Sequence, residues 1–248
     1  MLNKNCKANL FKVSFFLLTS FVMACNSNGI NQMAEKDYAD VSIVSAMKKV
    51  MWSGELQGKI LLDTISNKIG LQGIGPESYL TGELLILDGK SYVSKVTSDS
   101  TMNVEETFET SAPFFVYTHV NKWSEIKIPD DVRSMKDLEE FVNEKTKSAK
   151  RPFAFKVSGI VKKATIHIQN LAVGTKVSSP EEAHQGQVNY SLKNEEVEIL
   201  GFFSTEHKTV FTHHDTFMHL HLITKDRKKM GHLDSAVFNS MTLYLPIR

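Results

Sequence analysis

The stretch MHLHLITKDRKKMGH at residues 218–232 contains an apolar–histidine alternation, a charged connector and a glycine ahead of a third histidine. Alternation with a period of two marks a strand, so His219 and His221 share one face while Leu220 and Leu222 share the other. Residues 224–231 are polar, end in Gly231 and read as a hairpin connection, after which His232 opens the returning strand. In a hairpin symmetric about Asp226 and Arg227, His221 and His232 are cross-strand partners, with β-carbons roughly 4.5–5.5 Å apart. Three imidazoles then converge on one face. That set suits a first-row metal, which takes nitrogen ligands at about 2.0–2.1 Å and keeps a position open in catalytic sites. A histidine pair alone also occurs on metal-free surface hairpins; the third histidine in register is what favours an ion.

The remaining histidines add less. His213 and His214 are adjacent, so at most one can share the face, and His119, His167, His184 and His207 have no spacing that recruits them. A metal site of this kind often adds a carboxylate, and the candidate is Glu83, which opens the apolar strand of TGELLILDGKSY (residues 81–92). Spacing alone favours Glu83 pointing outward into solvent, where it would be unremarkable.

Outward from the hairpin, residues 84–87, 92–97, 153–168, 187–192, 197–203, 209–213, 216–224 and 236–245 alternate or are β-branched and read as strands. Two helices are signalled. Val44, Met47 and Met51 recur at helical spacing within residues 40–52. Ser134, with Asp137 three residues on, begins a second helix carrying Leu138, Phe141 and Val142 on one stripe. The glycine run GLQGIG at residues 70–75 precedes strand-like residues rather than a helix, so it reads as a turn or bulge and not as a phosphate loop. The fold class expected is α+β and β-rich, with mixed or antiparallel sheets and two or three covering helices. Any internal division falls near residues 134–150.

A net charge of +1, from 29 basic and 28 acidic residues, gives no field to hold a polyanion, which argues against a nucleic-acid partner. Lys4, Lys7 and Lys12 precede an uncharged run over residues 13–23 that is too short to span a bilayer. It ends Val22-Met23-Ala24-Cys25, which resembles a bacterial lipobox. Residues 1–24 are then a lipoprotein signal peptide, Cys25 the lipidated first residue, residues 25–39 a flexible tether, and 40–248 the folded domain. The expected location is outside the cytoplasm, anchored to a bacterial membrane by the lipid alone.

Several segments together are similar to the acetolactate decarboxylase family, from about residue 41 to 245. They are VSIVSAMKKVMWSGELQGKI, GIGPESYLTGELLILDGKSY, APFFVYTHV, MKDLEEFVNE, FAFKVSGIVKKATIH, ILGFFS and MHLHLITKDRKKMGHLDS, in the family's order. The resemblance implies a two-part architecture and a zinc ion, or another divalent first-row metal, on His219, His221 and His232. It places the family's active-site glutamate on Glu83 and implies conversion of 2-acetolactate, a small 2-hydroxy-3-keto acid, to acetoin. It leaves open a homodimer.

Three departures stand beside it. The family's active-site arginine lines up with Lys156, which keeps the charge and loses the planar two-point grip on a carboxylate. Its threonine lines up with Pro76, which has neither hydroxyl nor backbone donor. The chain ends at Pro246-Ile247-Arg248, where the family often has a tail bearing a second glutamate. The implied mechanism is Lewis-acid decarboxylation, with Lys156 at the departing carboxylate and Glu83 tuning the metal or relaying a proton. The competing expectation is an altered or inactive homologue serving as a lipid-anchored, metal-containing small-molecule binder. A cupin-like oxygenase fits less well, because the segment after His221 offers only Asp226 as a nearby carboxylate.

Overall fold

The computed structural model describes residues 38–247. In chain order the strands are β1 (Ser42–Val44), β2 (Ile60–Leu61), β3 (Leu71–Pro76), β4 (Glu83–Leu87), β5 (Lys90–Val96), β6 (Met102–Glu106), β7 (Ser111–Ala112), β8 (Phe115–His119), β9 (Lys122–Lys127), β10 (Phe153–Ile168), β11 (Val188–Phe203), β12 (Met218–Thr224) and β13 (Met230–Ile247). The helices are α1 (Met47–Ser53), α2 (Met135–Lys145) and α3 (Pro180–Ala183). The signal peptide and Cys25 lie outside the described residues. At the end of the expected tether, Tyr38 is buried with its ring 5.2 Å from that of Phe153, so packed structure begins at least two residues before residue 40.

Two sheets carry the fold. One has the order β1-β8-β3-β4-β5-β6; the other runs β10-β11-β12-β13-β9 and closes on itself through a further β10–β13 pairing. The strand pairings are antiparallel. Because residues alternate across a strand, the second sheet has two apolar faces. Phe153, Phe155, Ile199, Leu220 and Leu222 pack with Leu138 and Val142 of α2. Ala154, Leu200, Phe202, Ile223 and Met230 pack on Ile74, Leu85, Leu87 and Val116 of the first sheet. Each fully buried Leu or Phe stabilises the fold by about 1.5–3 kcal/mol, and Leu85→Ala would cost about 2–5 kcal/mol.

Three local readings are revised by the structure. The glycine run is strand β3, and its glycines serve close packing: a β-carbon on Gly73 would stand 2.6 Å from Phe115 Cε1, and one on Gly75 2.5 Å from the Phe114 carbonyl oxygen. The first helix is shorter than its apolar spacing suggests, because residues 42–44 pair with β8 instead. Residues 187–192 and 197–203 join into the single strand β11, and residues 209–213 form a loop. Helix α2 begins as expected, with Ser134 Oγ accepting from the Asp137 N–H and the Asp137 carboxylate accepting from the Ser134 N–H. None of the helices among the described residues is long and apolar enough to cross a membrane.

Candidate metal centre

The register of three strands builds the site. His221 of β12 and His232 of β13 are direct cross-strand partners, and His232 is also paired with His167 of β10. Residues directly opposite on neighbouring strands share a face, so His221, His232 and His167 form one row, with His219 two positions further along β12. Gly231 makes this approach possible, because a β-carbon there would stand 2.4 Å from the His167 carbonyl oxygen. From the other sheet, Glu83 opens β4 beneath the row. Met47 and Met51 of α1, with Leu80 and Phe114, wall the cavity.

His219, His221, His232 and Glu83 are all buried. The Nε2 atoms of His219 and His221 are 3.2 Å apart, and Glu83 Oε2 lies 3.7 Å from His221 Nε2. The His232 ring centroid is 5.2 Å from that of His219 and 5.5 Å from that of His221. His232 Nε2 stands 3.2 Å from His213 Nε2, and the His232 ring stacks on His167 at 4.6 Å. Asp234 Oδ1 is 2.7 Å from His167 Nδ1 and 3.3 Å from His232 Nδ1.

Burial dominates the electrostatics. It pushes His219 and His221 well below the ordinary imidazole value, with the neighbouring histidines adding to the effect. It also lowers His232, against the hydrogen bond to Asp234, and takes His213 down to about 4. Burial raises the Glu83 carboxyl well above its usual range, opposed by the Gln169 N–H, which donates to Oε1 at 3.3 Å. Burial would raise Asp234 too, but its hydrogen bonds to His167 and His232 prevail and hold it below the carboxylate range. Asp234 is therefore an ionised acceptor, and the Nδ1 atoms of His167 and His232 carry the protons.

These residues fit a divalent metal. Two nitrogens bound at 2.0–2.1 Å to a tetrahedral ion stand about 3.3 Å apart, close to the 3.2 Å between His219 and His221. The imidazoles of His219 and His221 are held neutral, as ligands must be. Among the described residues, a set of three ligand atoms all within 4.8 Å of one another is formed by His167, His232 and Asp234. In that trio the Asp234 oxygen already receives two imidazole N–H groups, so it reads as outer support for the histidines rather than as a second ion site.

Not every expected residue reaches the cavity. Lys156 is placed elsewhere, as its Nζ lies 2.8 and 3.0 Å from the two carboxylate oxygens of Asp88 and 4.7 Å from the centre of the Trp123 ring. Asp88 sits in the turn after β4, at the far end of that strand from Glu83. Asp88 and Gly89 take φ of 49° and 82°, as a tight hairpin turn requires. The side chains that β10 sends toward the histidines are His167 and, just past its end, Gln169. Pro76 lines the same cavity.

His167, His184, His213 and Asp234 all border the histidines, and local spacing did not single them out. His167 and Asp234 enter through the β10–β13 register, across a long separation in sequence. His213 enters through a loop. His119 lies apart on Asn67, and His207 on Ser204.

The sequence matches the alpha-acetolactate decarboxylase family over residues 41–247. Among solved structures, the chain is similar to alpha-acetolactate decarboxylase from Bacillus subtilis strain 168, with 25% identity and a TM-score of 0.69, covering 84% of this chain and 86% of that one. The enzyme from Bacillus subtilis subspecies spizizenii gives the same values. A Staphylococcus aureus protein of unknown function, described as similar to alpha-acetolactate decarboxylase, shares the fold at 17% identity and a TM-score of 0.67, covering 84% and 86%. No curated protein sequence matches the chain. The family match spans most of the chain, and the sheets, hairpin and buried histidines it covers are those just described: the chain belongs to the alpha-acetolactate decarboxylase family.

Proposed function

We propose that the protein is a metal-dependent decarboxylase that converts 2-acetolactate to acetoin. The observation that carries this reading is the buried cluster of neutral imidazoles, with Glu83 beneath it, on the fold of a decarboxylase family. His219, His221 and His232 would hold the ion, zinc or another divalent first-row metal, with Glu83 as an acidic neighbour or ligand. Bound there, the ion supplies Lewis acidity toward the ketone and hydroxyl oxygens of a 2-hydroxy-3-keto acid as carbon dioxide leaves.

The chain's own groups do the rest. Met47, Met51, Leu80 and Phe114 exclude water and strengthen the electrostatics within the cavity. Asp234 fixes the ring orientation of His232 and His167. Glu83, whose carboxyl burial keeps protonated more readily than usual, can hold a proton beside the reacting oxygens. Lys156, engaged with Asp88, is given no part in this scheme.

The test is carbon dioxide and acetoin release from racemic 2-acetolactate, with metal content measured on the same sample and His221→Ala alongside. Turnover lost together with the metal supports the decarboxylase. Bound metal without turnover sinks it in favour of a second reading, an altered homologue that binds a small molecule. Pro76 in the cavity wall, offering no donor, favours that reading. We also propose attachment to a bacterial membrane through a lipid on Cys25, which rests on Val22-Met23-Ala24-Cys25 alone. Release of Cys25→Ala protein into the soluble fraction would support it, and unchanged partitioning would refute it.

A further inference from the structure

Outside the three histidines of the hairpin, a fourth imidazole stands against them. His213 Nε2 lies 3.2 Å from His232 Nε2, the same separation as between the Nε2 atoms of His219 and His221. Its ring stands edge-on to those of both His232 and His219, with centroids at 5.1 and 6.3 Å. Two nitrogens sharing a tetrahedral ion stand about 3.3 Å apart.

The loop that carries His213 is pinned on both sides. Before it, Phe211 is buried against Phe202 and His207, and Thr212 is buried with its carbonyl accepting from the Thr209 N–H. After it, Thr216 Oγ1 and the Phe217 N–H both donate to Glu139 of α2. Only residues 213–215 bridge the two anchors.

His213 also stands at a boundary. It and His232 line both the inner cavity that contains Glu83 and His219 and an outer cleft bordered by Lys136, Glu139 and Asp215.

We infer that His213 would serve as a fourth nitrogen ligand of the metal centre, supplied from outside the hairpin. This rests on the metal-centre reading above and adds to it a ligand that the hairpin does not contain. It sits on a three-residue bridge, rather than on a strand like the other three histidines.

The experiment loads the full chain with Co2+ and compares wild type, His213→Ala, His213→Gln and His214→Ala by metal affinity and visible absorption, with circular dichroism as the check on folding. His214 is exposed and adjacent, so its variant reports on the loop without the ligand. Both His213 variants are expected to bind Co2+ more weakly by at least the about 10–100-fold that losing an outer partner of a metal ligand costs, and to show an altered absorption band. Added imidazole should restore the wild-type band in His213→Ala, which a merely structural role for His213 would not allow. Unchanged affinity and spectrum in both His213 variants would overturn the assignment while leaving the three-histidine centre standing. Failure of the wild type itself to bind Co2+ would overturn both.

Discussion

His221 and His232 face each other as direct cross-strand partners in the hairpin of β12 and β13, with ring centroids 5.5 Å apart. A ring on either strand is held by the ladder and by burial, so removing one leaves the other in place but short of a partner. His221→Ala should therefore fold, lose the bound metal, and lose turnover by more than the about 10–100-fold that deleting an outer hydrogen-bond partner costs. Metal analysis and circular dichroism on the same preparation check this. Retained stoichiometric metal would refute it.

That pairing was legible because a hairpin's register follows from the position of its turn, and every residue needed lies between 218 and 232. The capping box of α2 was legible for the same reason, since Ser134 and Asp137 are three residues apart. His167 was not legible. Its place beside His232 depends on β13 leaving β12 after three residues and pairing with β10 through several register shifts, which no local pattern encodes. Lys156 misled for a related reason. It lies in the same cross-strand row as His221, with Leu200 between them, but its long side chain runs to Asp88. The glycine run misled because glycine serves turns and close packing alike, and only the neighbour, Phe115, distinguishes the two.

Asp234 tests whether the outer hydrogen bonds matter. Asp234→Asn keeps the shape but turns an acceptor shared by two imidazole N–H groups into a group that can also present a donor. Metal affinity should fall by about 10–100-fold with little change in fold. An isothermal titration matching wild type would show that the histidines need no such support.

Lys156→Met separates the resemblance from the geometry. The ammonium is held by Asp88 and Trp123 and not by the histidine row, so metal affinity should stay within about twofold of wild type. The lost ion pair, with Asp88 half-exposed, should lower stability by no more than about 1 kcal/mol. A large loss of metal binding would place Lys156 in the site after all.

The cap of α2 gives a prediction with a pH sign. Ser134→Ala removes the acceptor for the Asp137 N–H and should cost about 1 kcal/mol, or about 2–4 °C in Tm for a domain of this size. The backbone N–H groups of Ser134 and Arg133, then the Ser134 hydroxyl, hold the Asp137 carboxyl below its ordinary value. A depressed folded-state pKa means the contribution is present above the unfolded value of about 3.9 and is lost as pH falls through the folded value. Thermal melts of wild type and Asp137→Asn should therefore differ at neutral pH and converge in acid.

Glu83 is where stability and function should part. A carboxyl group buried on an apolar strand is expensive unless something compensates it, and here its partners are one backbone N–H at 3.3 Å and an imidazole nitrogen at 3.7 Å. Neither repays the loss of water in a metal-free protein. Glu83→Gln keeps the volume and the bond from Gln169 while removing the cost of keeping an ionisable carboxyl out of water, so the metal-free variant should be more stable than wild type by on the order of 1 kcal/mol. The same change takes a negative charge from beside the cation, so metal affinity and turnover should both fall. Melting the two proteins with and without metal separates the effects. A variant less stable than wild type in the metal-free state would mean that Glu83 is retained for the fold, whereas the predicted crossing of the two orders would mean it is retained for the ion.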